Sequence, residues 1–247
     1  MTKKRKPGAK KLLVGTSGWT YDDWNGVFYP KGVRGSERLS YYAERFDTVE
    51  VNATFYRFPS QAMIDAWNRR LPAGFHLVLK GHQGVTHRKK LNDCDDLLHD
   101  FLDRVMALDR LQVILWQLPP NLHKDVERLE GFLSMLPDEV RHAVEFRHPS
   151  WWDDDVANLL ESYRACFVAI SHPELPEDIV PTTDFLYLRF HGLGPELYRY
   201  DYSDKQLRQW ARKTKPHLKS RTLYAFFNND YEANAPRNAS TFLDLLR

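Results

Sequence analysis

The sequence predicts an α/β protein: one (β/α)8 barrel of the TIM type behind a disordered basic tail. Three observations carry this. The 247 residues match the length such a barrel typically needs, about 250. Short apolar strands alternate with helical periods along the whole body. Several strands end in polar side chains in inward phase, where a parallel barrel opens into its mouth. Thr48-Val-Glu-Val-Asn52 sets the pattern, with the valines on one face and Thr48, Glu50 and Asn52 on the other. An open doubly wound sheet is the alternative, but no G-x-G-x-x-G follows the first strand.

The elements follow in order. Leu12–Gly15 is the first strand, and a long aromatic loop with Trp19, Tyr21, Trp24 and Phe28-Tyr-Pro30 follows it. Ser36–Arg45 is helical, with Leu39, Tyr42, Ala43 and Phe46 at helical spacing. Strand two is Asp47–Asn52. Ser60 is the expected N-cap of the next helix, with Met63, Ile64 and Trp67 on its inner side. Strand three, Phe75–Lys80, places His76, Val78 and Lys80 inward, with His76 expected in the barrel core. Its loop carries Thr86, His87 and Arg88, and helix three spans about 93–108. Strand four, Gln112–Gln117, stops at Pro119-Pro120, with Trp116 facing a helix; helix four covers about 124–135. Strand five, His142–Phe146, turns Glu145 inward, and Arg147 follows on the same side. Helix five is about 154–163. Strand six is Cys166–Ser171, with Cys166 an inert buried thiol. Strand seven, Phe185–His191, has Tyr187, Arg189 and His191 inward. Helix seven spans about 204–218, strand eight is Leu223–Phe227, and Pro236 opens the last helix.

Composition narrows the class. Hydrophobic residues at 43% and charged residues at 28% describe a soluble globular chain. No apolar run reaches the roughly 18 residues of a membrane span, and the basic start lacks the apolar core of a secretory signal. The two cysteines, Cys94 and Cys166, make neither a disulfide framework nor a zinc cluster. A cytoplasmic location without membrane contact is the expectation. Residues 1–11 hold six of the 35 lysines and arginines; the remaining 29 against 33 acids leave the body at −4. Residues 12–247 are therefore read as one acidic barrel domain. Nucleic acid is expected, if at all, only through the tail; the oligomeric state is not legible.

Several motifs together resemble the YecE-like family, also described as domain of unknown function 72. They are Gly15-Thr-Ser-Gly-Trp19, the Tyr-x-x-Trp-x-Gly-x-Phe-Tyr-Pro of residues 21–30, and Glu50-x-Asn-x-Thr-Phe-Tyr56. Lys80 with Thr86-His87, Gln117-Leu-Pro-Pro120, Glu145-Phe-Arg147 with Ser150-Trp151, Arg189-x-His-Gly192, and Phe227-Asn-Asn-Asp230 with Asn238-Ala239 belong to the same set. The resemblance runs from about residue 12 to the end. It implies a TIM-type barrel and supplies no activity. Ala233 departs from the pattern, where a glycine or small flexible residue is common.

The candidate site gathers the strand ends. Glu145, Glu50 and Lys80 are the candidate catalytic residues, with a glutamate as acid/base. Lys80, Arg147 and Arg189 are expected to bind anionic or carbonyl oxygen. Asn52, Gln117, Asn228 and Asn229 would orient the ligand. Thr86, His87, His191 and Asp230 complete the polar set. Trp19, Tyr21, Trp24, Tyr56, Trp151 and Tyr202 could supply flat surfaces for a sugar ring or a base. The alternative for Glu50 and Glu145 is a structural salt-bridge network with the cations. Glu50, Glu145, His191 and Asp230 could ligate a metal, but no H-E-x-x-H, CxxC or EF-hand loop is present, so no metal or cofactor is expected. The reading is a hydrolase- or isomerase-like enzyme for a small polar, sugar- or phosphate-bearing ligand. The competing class is a non-catalytic metabolite- or nucleic-acid-associated binding protein.

Overall fold

The computed structural model describes residues 11–247. The basic tail expected over 1–11 lies outside the described residues except for Lys11, whose carbonyl accepts the Leu223 N–H at 2.9 Å. Among the described residues nine strands form: β1 (Leu12–Thr16), β2 (Thr48–Val51), β3 (His76–Lys80), β4 (Leu111–Gln117), β5 (Arg141–Glu145), β6 (Ala165–Phe167), β7 (Ala169–Ser171), β8 (Phe185–Phe190) and β9 (Thr222–Phe227). The helices are α1 (Arg38–Ala43), α2 (Ala53–Tyr56), α3 (Gln61–Arg70), α4 (Asp95–Val105), α5 (Val126–Ser134), α6 (Asp154–Ser162), α7 (Asp204–Thr214) and α8 (Asn234–Leu246). Residues 172–184, between β7 and β8, contain turns and no helix. The βα alternation therefore lapses there.

The ladders form two parallel sheets, β1-β9-β8-β7 and β2-β3-β4-β5-β6, and not the single closed sheet expected. The reason is visible at both seams. Between β1 and β2, the Tyr42 hydroxyl takes the Thr16 N–H at 2.9 Å and donates to the Thr48 carbonyl at 3.1 Å. A side chain thus satisfies backbone groups that a neighbouring strand would otherwise pair. Gly15 makes the approach possible, since a Cβ there would lie 2.4 Å from the Thr48 carbonyl oxygen. One isolated bridge, Ser17 to Glu50, follows beyond the phenol. At the second seam Thr182 does the same work. Its hydroxyl accepts the Phe167 N–H at 3.0 Å and donates to the Ala165 carbonyl at 2.7 Å. The strand expected over 166–171 consequently changes partner at Val168: β6 pairs with β5, and β7 pairs with β8.

Strand phase separates two cores. Leu13, Val78, Leu115, Ala143, Cys166, Tyr187 and Phe226, drawn from both sheets, belong to one cluster. Val49, Leu77, Trp116, Val144, Leu188 and Phe227 face the helices in the other. Trp67 and Trp116 are buried there, in the phase their positions predict. His76 is half-buried at the start of β3, 2.8 Å from the Tyr224 hydroxyl, and not in the core as expected. Ser60 caps α3 through the Met63 N–H. Ala233 lies at φ 57°, in the left-handed region that glycine enters freely; a non-glycine residue there costs about 1–2 kcal/mol.

Candidate functional site

The inward residues at the C-terminal ends of the strands converge on one buried ionic network. Glu50, from β2, is fully buried. One carboxylate oxygen accepts from the Ser17 hydroxyl at 2.7 Å and from Arg189 Nη2 at 2.7 Å. The other accepts from the Tyr187 hydroxyl at 2.5 Å. Glu145, at the end of β5, is also fully buried; it accepts from Arg189 Nη1 at 2.6 Å and from Arg147 Nε. Arg189 on β8 therefore bridges two carboxylates contributed by two other strands. Ser17 and Tyr187 were not among the sequence candidates. Their signal was phase alone: both continue the inward set of their strands.

The protonation states follow from the surroundings. Burial alone would raise the Glu145 carboxyl, but Arg147 and Arg189 outweigh it and hold it well below the usual carboxylate range. Burial disfavours the Arg189 cation, and the Glu145 and Glu50 charges more than restore it, so its pKa rises. His191 is pushed down by burial first, then by Arg147 and Arg189. It stays neutral, so its 3.6 Å approach to Glu145 is not an ion pair. Instead it faces Arg147 Nη2 at 2.9 Å and the Asn228 side-chain amide at 3.2 Å.

Lys80 differs from these groups. Among the described residues no carboxylate lies within the 4.0 Å of an ion pair to its Nζ. The Nζ sits over the Phe55 ring, 4.0 Å from its centroid. Burial and the Arg189 charge lower its pKa to about 7, against partial support from Glu145 and Glu50. Its side chain is crowded by protein yet keeps partial solvent contact. Nearby Thr86 is buried, and its hydroxyl lies 2.9 Å from His87 Nδ1. The loop expected for these residues forms one turn of π-helix, Gly84–Arg88, a form frequent at functional sites. His87 falls to about 4 through burial, then Lys80 and Arg147.

An open cleft of about 350 Å³ borders the network; its walls include Gln117, Arg147, His148, His172 and Glu174. A larger cleft of about 420 Å³, lined by Lys11, Asp47 and Phe75 among others, lies at the opposite strand ends, away from this chemistry. His148 and His172 are site features the sequence reading missed. Each simply follows a strand end as an unremarkable loop histidine.

Other candidates are placed elsewhere. Asn229 is buried, and its amide donates to the Tyr200 carbonyl and to Asn238 Oδ1, both at 2.7 Å. Trp151 is buried, stacks on Phe146 and donates to the Leu122 carbonyl at 2.7 Å. Trp24 is buried and donates to the Asp230 carbonyl at 2.7 Å. The Tyr202 hydroxyl is spent on Ser171 and Gly192. Tyr21 donates to the Ser17 carbonyl, and Trp19 packs edge-on against Trp67. Tyr56 is 68% exposed. Asn52 Oδ1 is buried without a hydrogen-bond partner among the described residues. Burial raises the Asp230 carboxyl. Among the described residues no three histidine, cysteine, aspartate or glutamate side chains gather as metal ligands, and no helix is long and apolar enough to cross a membrane.

The comparisons with known proteins agree with one another. The model of the family "Protein of unknown function DUF72" matches residues 13–247. UPF0759 protein YecE of Escherichia coli K12 is 34% identical over 268 residues, covering 96% of this chain and 93% of that protein. UPF0759 protein YunF of Bacillus subtilis is 22% identical over 273 residues, covering 95% and 94%. A crystal structure of a DUF72 family protein from Thermotoga maritima superposes with a TM-score of 0.83 at 32% identity, over 96% of this chain and 99% of that one. None of these names states an activity. With the family's motifs spread over both sheets and the match covering nearly the whole body, the chain belongs to the DUF72 family.

Proposed function

We propose that the protein is an enzyme acting on a small polar, anionic ligand at the C-terminal strand ends, with Lys80 as its proton-transferring group. One observation carries this: among the described residues the amine of Lys80 has no carboxylate partner, beside a network that has consumed both glutamates. A general acid or base works best with a pKa near the operating pH. Lys80, lowered to about 7, meets that condition. Glu145 does not, because Arg147 and Arg189 engage its carboxylate and keep it ionised far below neutrality. Glu50 and Glu145 are instead positioning residues that fix Arg189 and Arg147. The ligand would meet Arg147, Gln117 and His172 along the cleft, with Lys80 off its walls but within electrostatic reach of Arg147.

The finer reading of the fold belongs here as well. The Tyr42 and Thr182 hydroxyls stand where closing hydrogen bonds would run, and residues of both sheets share one inner cluster. Both facts support two halves of a TIM-type barrel, with the site at its mouth.

Competitive acetylation with acetic anhydride between pH 6 and 10, read by peptide mass spectrometry, tests the assignment. Lys80 should titrate near pH 7, whereas ordinary lysines titrate near about 10.4. A Lys80 that titrates with the surface lysines would sink the reading.

A further inference from the structure

Lys80 ends β3, in register with Leu115 of β4 and in phase with Val78 below it. Its backbone is pinned there, since the Thr54 hydroxyl donates to the Lys80 carbonyl at 2.7 Å. The charged groups that act on it are Arg189, Glu145, Glu50 and Arg147, and His87 feels its charge in turn. Such a lysine has a chemistry beyond proton transfer: an uncharged amine on a rigid strand is a nucleophile.

We propose that Lys80 is an imine-forming amine, whose Nζ condenses with the carbonyl carbon of a small aldehyde or ketone bearing an anionic group. This rests on the reading of Lys80 as the reactive group of the site. The Nζ lone pair attacks the carbonyl carbon; the C–N bond forms as the C=O π bond breaks. A proton moves from nitrogen to oxygen and gives the carbinolamine. The nitrogen lone pair then expels the hydroxyl with a proton as water, leaving the imine. Amine and carbonyl yield imine and water, with no change of oxidation state and no co-reactant.

Three features favour this ligand class. The network is internally neutral, with Glu50 and Glu145 set against Arg147 and Arg189, so it holds no excess negative charge against an anionic ligand. Arg147 spends Nε on Glu145 and Nη2 on His191, and Nη1, without a hydrogen-bond partner among the described residues, can meet an anion in the cleft that Arg147 lines. The cleft volume of about 350 Å³ lies at the small end of ligand pockets.

Reductive trapping tests the proposal. The full chain at pH 7 is incubated with sodium cyanoborohydride and one of three probes: pyruvate, dihydroxyacetone phosphate or acetone. Intact mass and peptide mapping follow the label with time. Lys80 should be alkylated about tenfold or more faster than the surface lysines, because far more of it is unprotonated. The Lys80→Met variant, which removes the amine without burying a permanent charge, should lose that fast adduct and keep its melting temperature. Faster labelling by pyruvate assigns a carboxylate to the ligand, and by dihydroxyacetone phosphate a phosphate. Acetone labelling Lys80 as fast as both would overturn the anionic part. Lys80 labelling no faster than the surface lysines with every probe would overturn the imine. If Lys80 nevertheless titrates near pH 7 by acetylation, the proposed function stands without the imine; if it does not, both fall together.

Discussion

Replacing Glu145 by glutamine separates a scaffold from a catalyst. The sequence alone favours loss of function with the fold nearly intact. The structure makes the opposite forecast. Glu145 is fully buried and engages Arg189 Nη1 at 2.6 Å and Arg147 Nε. Glutamine keeps the shape, but it leaves Arg147 without its ion-pair partner and Arg189 with Glu50 alone. Removing one charge from such a buried group costs about 3–5 kcal/mol. For a chain of this size each kcal/mol lowers Tm by about 2–4 °C, so a drop of about 6–20 °C is expected. Thermal unfolding followed by circular dichroism at pH 7 measures it. Adding Arg147→Met in the same chain removes the stranded cation and should recover part of the loss. The acid limb gives a second reading. The folded Glu145 carboxyl lies well below its unfolded value, so its contribution is present above about pH 4.3 and fades as pH falls towards the folded pKa. The variant should lack that part of the slope. A variant that melts within a degree or two of the parent would refute the reasoning and return Glu145 to the list of candidate bases.

The histidines give a pH dependence of their own. His76 and His87 are lowered to about 4, and burial and the arginines hold His191 well below its ordinary value, so on acidification the unfolded chain takes up protons first. Stability should fall from about pH 6.5 downwards, and melts at pH 7, 6 and 5 check this; a flat profile would contradict the neutral assignments. Gly192→Ala should destabilise by more than about 2 kcal/mol in urea unfolding. Gly192 lies at φ 100°, and a Cβ there would sit 2.0 Å from the Leu197 carbonyl oxygen; an unchanged midpoint would show that the loop yields freely.

Much of the architecture was legible because strand phase is a local property. Period-two alternation puts Glu50, Lys80, Glu145, Arg189 and His191 on one side and Trp116 against the helices, and helical spacing puts Trp67 on the inner side of its helix. Ala233 stands where the family pattern favours a glycine or small flexible residue, and it does occupy a left-handed conformation. What the sequence left open was decided by contacts between residues far apart in the chain. Tyr42 and Thr182 look like ordinary helix and loop residues, yet their hydroxyls take the backbone groups at the two seams, and the ladders stop there. Asn229 and Trp151 stand beside site residues in the chain but spend their polar groups on Tyr200, Asn238 and Leu122. Most of all, the sequence could not rank Lys80 against the glutamates. A carboxylate's role depends on which cations reach its oxygens first, and an amine's on how much protein surrounds it. Arg189 spans from Glu50 to Glu145 only because tertiary packing brings β2, β5 and β8 to one point, and that packing leaves the Lys80 amine with no carboxylate in ion-pair reach among the described residues.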